Sequence, residues 1–193
     1  AALAPEHIYI ADLNEHDFYG PFAAQYHAAW KETVRQVQQL GIPVTMIDDT
    51  EFREAASMLY GGPLVAERWT AVGLFAETHP EKIFPVTLEV LKTGAKDQYS
   101  ACALFEAQHR LKRLQMKLRE QWKNAVYLTP TCGGTWTRDQ VRENPIGTNT
   151  DMGRFTNHCN LLDLCAAALP AGQAEKDLPF GVTVFALCQE EHL

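Results

Sequence analysis

The chain has 193 residues, 46% of them hydrophobic and 21% charged, enough for one domain with its own core and far from the composition of a disordered segment. A formal net charge of -7, with no basic tract longer than Arg110-Leu-Lys112-Arg113, argues against a partner made of phosphate backbone or anionic lipid, so no nucleic acid is expected. No run approaches the ~20 consecutive apolar residues of a membrane span, and the opening Ala1-Ala-Leu-Ala-Pro5-Glu6 has neither a basic leader nor a long apolar stretch, so neither insertion nor export is expected.

Residues 7–12 alternate around Ile8 and Ile10 and read as a short strand, followed by a loop holding Asn14 and Asp17. From Phe22 the apolar positions Tyr26, Trp30, Val34, Val37 and Leu40 recur at helical spacing, and Gly41 and Pro43 end that helix. Residues 44–47 form a second strand. Asp49 or Thr50 is placed to cap a helix running through Leu59, which Gly61-Gly62 stops. Pro63 suits the first turn of the next helix, to about Ala76, because its missing donor has no partner there anyway. Pro80 and Pro85 punctuate the chain beyond that helix.

Residues 97–123 are the longest periodic stretch, with Leu104, Leu111, Leu114, Leu118 and Trp122 on one stripe and Arg110, Arg113, Lys117 and Glu120 on a solvated face. Residues 125–129 read as a strand leading into Pro130-Thr-Cys-Gly-Gly-Thr-Trp136, and the chain then reads as polar loop to about Asn157. Two last strands, 165–169 and 182–187, are apolar on both faces, the pattern of central strands in a covered sheet. The alternation of strands and helices points to an α/β fold, and no linker or repeat divides it, so a single unit over residues 1–193 is expected.

Three constellations bear on chemistry. In Leu59-Tyr-Gly-Gly-Pro-Leu-Val-Ala-Glu-Arg-Trp69, two glycines and a proline break one helix and start the next, letting Tyr60 and Arg68 converge beside a helix start. A guanidinium holds a carboxylate through a rigid fork and a phenol adds one directional hydrogen bond, so the pair suits an anion. The same residues also fit a plainer arrangement, with Arg68 paired to Glu67 or Glu77 and Tyr60 half-buried in the core. Cys132 with His158 is a second constellation, readable as thiolate and base, while Cys132 also reads as a small buried hydrophobe. The third is negative. Five cysteines (Cys102, Cys132, Cys159, Cys165, Cys188) form no CxxC pair, His158-Cys159 is not spaced as a ligand pair, and the glycine pairs lack phosphate-loop spacing, so neither metal nor cofactor is expected. Odd, scattered cysteines also suit the cytoplasm. Only Ser57 and Ser100 are present, both in helix-like stretches, which leaves a serine hydrolase almost nothing to build from.

The segment Gly147-Thr-Asn-Thr-Asp-Met-Gly-Arg-Phe-Thr-Asn-His-Cys-Asn-Leu-Leu-Asp-Leu164, followed by Leu169-Pro-Ala-Gly172 and Leu178-Pro-Phe-Gly-Val182, resembles the C-terminal signature of amidase-signature hydrolases. Tyr127-Leu-Thr-Pro-Thr131 resembles the strand and loop before it. Tyr60-Gly-Gly-Pro-Leu-Val-Ala-Glu-Arg68 and Asp17-Phe-Tyr-Gly20 resemble the allophanate hydrolases within that family. The resemblance implies a partial amidase-signature fold, a mixed central sheet flanked by helices, here the C-terminal half of the domain. It implies hydrolysis of allophanate to ammonia and carbon dioxide in urea or cyanuric acid breakdown. The serine, cis-serine and lysine of that chemistry would belong to an N-terminal half, leaving no catalytic residue in these 193 residues. It assigns Tyr60 and Arg68 to the substrate carboxylate and points to Thr150 and Asn157 as lining the pocket floor. It further implies the N-terminal half as partner and a functional link to biotin-dependent urea carboxylase. Apolar surface left for that half would favour a partner chain or a homo-oligomer. A stand-alone small-carboxylate binding module and a different amidase-signature amidohydrolase are the other readings.

Overall fold

The computed structural model describes residues 4–95 and 99–193. Its strands are β1 (His7–Ala11), β2 (Val44–Ile47), β3 (Ala125–Pro130), β4 (Leu164–Glu175) and β5 (Leu178–Leu187), joined in one five-stranded sheet of order β2-β1-β3-β5-β4. The helices are α1 (Ala23–Val37), α2 (Thr50–Gly61), α3 (Val65–Thr78), α4 (Pro85–Thr93), α5 (Ala101–Gln121), α6 (Arg138–Glu143) and α7 (Pro145–Gly153). β1 pairs in parallel with both β2 and β3, whereas β5 pairs antiparallel with β3 and β4. Parallel neighbours need long crossovers. α1 makes the first and α2 to α5 the second. The sheet is therefore mixed and flanked by helices, as expected.

Register explains the core. Tyr9 lies opposite Tyr127, and Tyr127 opposite Phe185, so three strands put aromatic rings in one row across the sheet. Phe52 of α2 stacks on Tyr127 at 4.5 Å between ring centroids, and Trp122, just after α5, lies 5.3 Å from Phe52. His158 closes the layer, 4.7 Å from Phe185. α1 packs on the β4–β5 hairpin, where Tyr26 meets Phe180 edge-on at 5.9 Å and its hydroxyl donates to the Pro179 carbonyl at 3.3 Å.

Several expectations need correction. α1 ends at Val37, a turn early, leaving Leu40 largely exposed. Asp49 does not cap α2. The Thr50 amide donates to Asp48 at 2.6 Å, while the buried Asp49 carboxylate turns to Arg53. α4, unforeseen, starts on Pro85 itself, whose missing N–H costs nothing at a first helical position. The start of the long helix expected at Asp97 lies outside the described residues, and α5 is capped by Ser100, which accepts from the Ala103 amide at 3.1 Å. The charged face of α5 is not merely solvated. Lys117 bonds Glu51 at 2.6 Å and Arg110 bonds Glu54, tying α5 to α2.

The stretch after Trp136 is not a loop but two short helices, each with a side-chain cap: Thr137 with Gln140, and Asn144 to the Gly147 amide at 3.0 Å. The last correction concerns β4, expected to be a central strand. It is the sheet edge, and residues 166–170 are all exposed, because β4 pairs only with β5. β5, between two neighbours, is mostly buried as expected. Among the described residues no helix is long and apolar enough to cross a membrane.

Candidate functional site

The three parallel strands deliver their carboxyl ends to one place, the edge of an α/β sheet where crevices form. β1 leads into a 3-10 turn, Glu15–Asp17, in which the Asn14 side chain accepts from the His16 amide at 2.9 Å and Asp17 accepts from the Asn14 amide at 2.8 Å. This local folding buries the Asp17 carboxylate. β2 leads to Asp49. Arg53, one turn into α2, bridges them, 3.3 Å from Asp17 and 3.0 Å from Asp49. Arg154, immediately after α7, bonds the same Asp17 oxygen. Burial pushes the Asp49 carboxyl up, with the Arg53 charge opposing it. Two cations thus face two buried carboxylates and clamp α2 and α7 to the end of the sheet.

β3 leads into Cys132-Gly133-Gly134, which lies along Phe18-Tyr19-Gly20. The Tyr19 amide donates to the Gly133 carbonyl at 3.2 Å, and Tyr19 and Gly134 form a parallel bridge. Contact this close requires glycine. A Cβ on Gly134 would sit 2.0 Å from the Tyr19 carbonyl oxygen, and Gly20, at φ +77, would put one 2.1 Å from the Thr135 oxygen. The Asp17–Gly20 and Thr131–Gly134 motifs, far apart in sequence, are one structural unit. Sequence reasoning missed the ion-pair cluster. The spacing of Asp49 and Arg53 at i,i+4 was its one readable signal, since Asp17 and Arg154 are 137 positions apart.

Tyr60 ends α2 and Arg68 lies in the first turns of α3, with the Gly61-Gly62-Pro63 break folding them together. The guanidinium stacks over the Tyr60 ring at 4.8 Å, and one of its nitrogens donates to the Leu59 carbonyl at 2.9 Å, satisfying an otherwise open end of α2. Among the described residues Arg68 has no acidic partner, so the alternative pairing with Glu67 or Glu77 is absent. Both side chains line a cleft of about 490 Å³ walled by α4 and the first turns of α7, and among the described residues no acid lines it. Thr150 lines this cleft and also a smaller one of about 180 Å³, where Arg53, Arg154 and Asn157 converge. The four expected pocket residues therefore line two adjoining cavities joined at Thr150. Asn157 is confined to the smaller.

Cys132 and His158 are not brought together. His158 is buried among Phe52, Tyr127 and Phe185, neither ring nitrogen has a hydrogen-bond partner, and burial alone lowers its pKa to about 4. Burial also pushes the Cys132 thiol up, the reverse of an activated nucleophile. Ser57 donates to the Glu54 carbonyl at 2.7 Å, and Ser100 is the α5 cap. Among the described residues no group of three or more His, Cys, Asp or Glu side chains is arranged to hold a metal.

The chain's likeness to known proteins agrees with this geometry. The family model described as Amidase matches residues 7–193. The chain is 34% identical over 158 residues to a urea amidolyase of Saccharomyces cerevisiae, covering 80% of this chain and 8% of that protein. It is 30% identical over 183 residues to a urea amidolyase of Lachancea kluyveri, covering 93% and 10%. It thus spans about a tenth of the length of the curated relatives it matches. A solved Kluyveromyces lactis allophanate hydrolase superposes with a TM-score of 0.83 at 24% identity, over 96% of this chain and 30% of that one. A family match over nearly every residue, joined to a mixed sheet of the same fold, places the chain in a known lineage: it belongs to the amidase family.

Proposed function

We propose that this chain is the C-terminal half of an amidase domain that hydrolyses allophanate, and that it supplies the wall gripping the substrate carboxylate. The observation that carries this is the shared cleft, where Arg68 and Tyr60 stand together and, among the described residues, no acid joins them in the lining. Arg68 keeps donors free beyond the one given to Leu59, because a guanidinium has five N–H groups in a planar fork. A carboxylate entering the cleft gains a charge-assisted contact without displacing an ion pair.

Binding a substrate does not cleave it. Acyl transfer needs a nucleophile, a base and oxyanion donors, and both serines here are committed to helix backbone. The reading therefore assigns serine, cis-serine and lysine to an N-terminal half, and this chain alone is inactive. The exposed apolar edge at residues 166–170 supports such a partner, since an unpaired edge strand is a template for another strand. The name urea amidolyase borne by the relatives supports a link to urea breakdown, and five unpaired thiols suit a reducing cytoplasm.

In the protein that carries this segment together with its N-terminal half, Arg68→Gln raises KM for allophanate more than about tenfold while kcat changes little, because a contact made equally in ground and transition states is lost. Steady-state ammonia release measures both. An unchanged KM removes Arg68 from the site.

A further inference from the structure

Allophanate is polar throughout, and each of its carbons is bonded to oxygen or nitrogen. Most of the cleft that faces Arg68 offers it nothing. Beyond Tyr60 and Arg68 the lining is largely apolar, with Val86, Val90 and Leu91 from α4, Ile146 from α7, and the Phe84 ring. Phe84 is 70% exposed, so ligand burial would remove apolar area from water that the folded chain leaves exposed. A volume of about 490 Å³ falls within the range of pockets that enclose organic ligands. The guanidinium and phenol come from α2 and α3, and the aliphatic surface from α4 and α7, which also bring Thr87, Asn149 and Thr150 to the lining.

The polar part has a second anion-favouring feature. Val86 and Thr87 line the cleft from the first turn of α4, and that helix has no side-chain cap, so its leading amides remain open. A cation and uncapped amides, with no acid among the described lining residues, select a negative group, and the aliphatic wall beside them selects what that group is attached to.

We infer that the cleft has a second, apolar compartment and accepts carboxylates carrying an aliphatic or aryl group, a broader class than urea carboxylate alone. The inference rests on the carboxylate-gripping reading above and extends it. Arg68 holds the carboxylate, and Val86, Val90, Leu91 and Phe84 cover the substituent.

The test is isothermal titration calorimetry of the protein that carries this segment together with its N-terminal half, with acetate, butanoate and hexanoate, each variant being checked for folding by circular dichroism. Affinity is expected to rise up to about fourfold per added methylene, as each is withdrawn from water. Val90→Thr keeps the side-chain shape but adds a hydroxyl, and is expected to flatten that rise while leaving acetate binding in place. Arg68→Gln is expected to weaken all three acids alike. Binding that is sensitive to Arg68→Gln but does not grow with chain length overturns the apolar compartment and spares the carboxylate grip. A rise that survives in the threonine variant also overturns it, since the chain then packs elsewhere. Binding indifferent to Arg68→Gln at every length removes the grip itself, and the extension with it.

Discussion

At the scale of single residues, His158 stands out because its ring is buried with both nitrogens unpartnered, which leaves the neutral form as the only tolerable one. Burial lowers its pKa from 6.5 to about 4. Above pH 6.5 the imidazole is neutral in folded and unfolded chains and contributes no pH dependence. As pH falls below 6.5 the unfolded chain takes up a proton that the folded chain refuses until about pH 4, so stability drops across that window. The loss is about 3 kcal/mol. His158→Phe is expected to remove it and to leave stability at neutral pH equal or greater, since an unsatisfied polar ring gives way to an apolar one. Urea unfolding at pH 7 and pH 4.5 measures this, and an unchanged difference in the variant excludes His158 as its source. The sequence named His158 only as a partner for Cys132. Nothing in its neighbours announced burial, whereas the glycine pair made a convergence of Tyr60 and Arg68 one of two open arrangements and the family resemblance chose it.

At the scale of elements, the junction of the 3-10 turn with the strand-end loop after β3 is the tightest packing at the carboxyl end of the sheet. Gly134→Ala forces a Cβ to within 2.0 Å of the Tyr19 carbonyl, and backbone on both sides leaves no flexible side chain to yield. The expected cost is more than about 2 kcal/mol in thermal or urea unfolding, with loss of the Tyr19–Trp136 stacking. A variant as stable as the parent shows that the two motifs do not depend on each other. Elements with strong periodicity, such as α1 and α5, were readable along the chain. α6 and α7 were not, because short polar helices bury too little apolar surface to leave a periodic stripe, and their evidence lay in the caps at Thr137 and Asn144. β4 was misplaced for a related reason. A run of alanines is apolar in either position, so composition cannot separate a central strand from an exposed edge.

For the whole molecule, that edge governs association. Residues 166–169 expose an apolar strand edge with no charge to repel a neighbour, up to Pro170 and the irregular register after it, and such an edge invites strand pairing between chains. The isolated chain is expected to self-associate, and Ala167→Lys to shift it toward monomer in light scattering coupled to size exclusion. A parent that is monomeric across the accessible concentrations, or a lysine variant that associates as strongly, removes the edge as the cause. The sequence by itself determined the α/β alternation, the position of most strands and long helices, the family, and the meeting of Tyr60 with Arg68, because hydrophobic period, glycine breaks and motifs act over a few residues. Only the tertiary structure decided that Arg154 and Arg53 meet Asp17, that α4 and α7 wall the cleft facing Arg68, that His158 is sealed among aromatic rings, and that β4 is an edge. Those outcomes depend on which distant segments become neighbours and which surfaces lose water, and neither is encoded in the order of adjacent side chains.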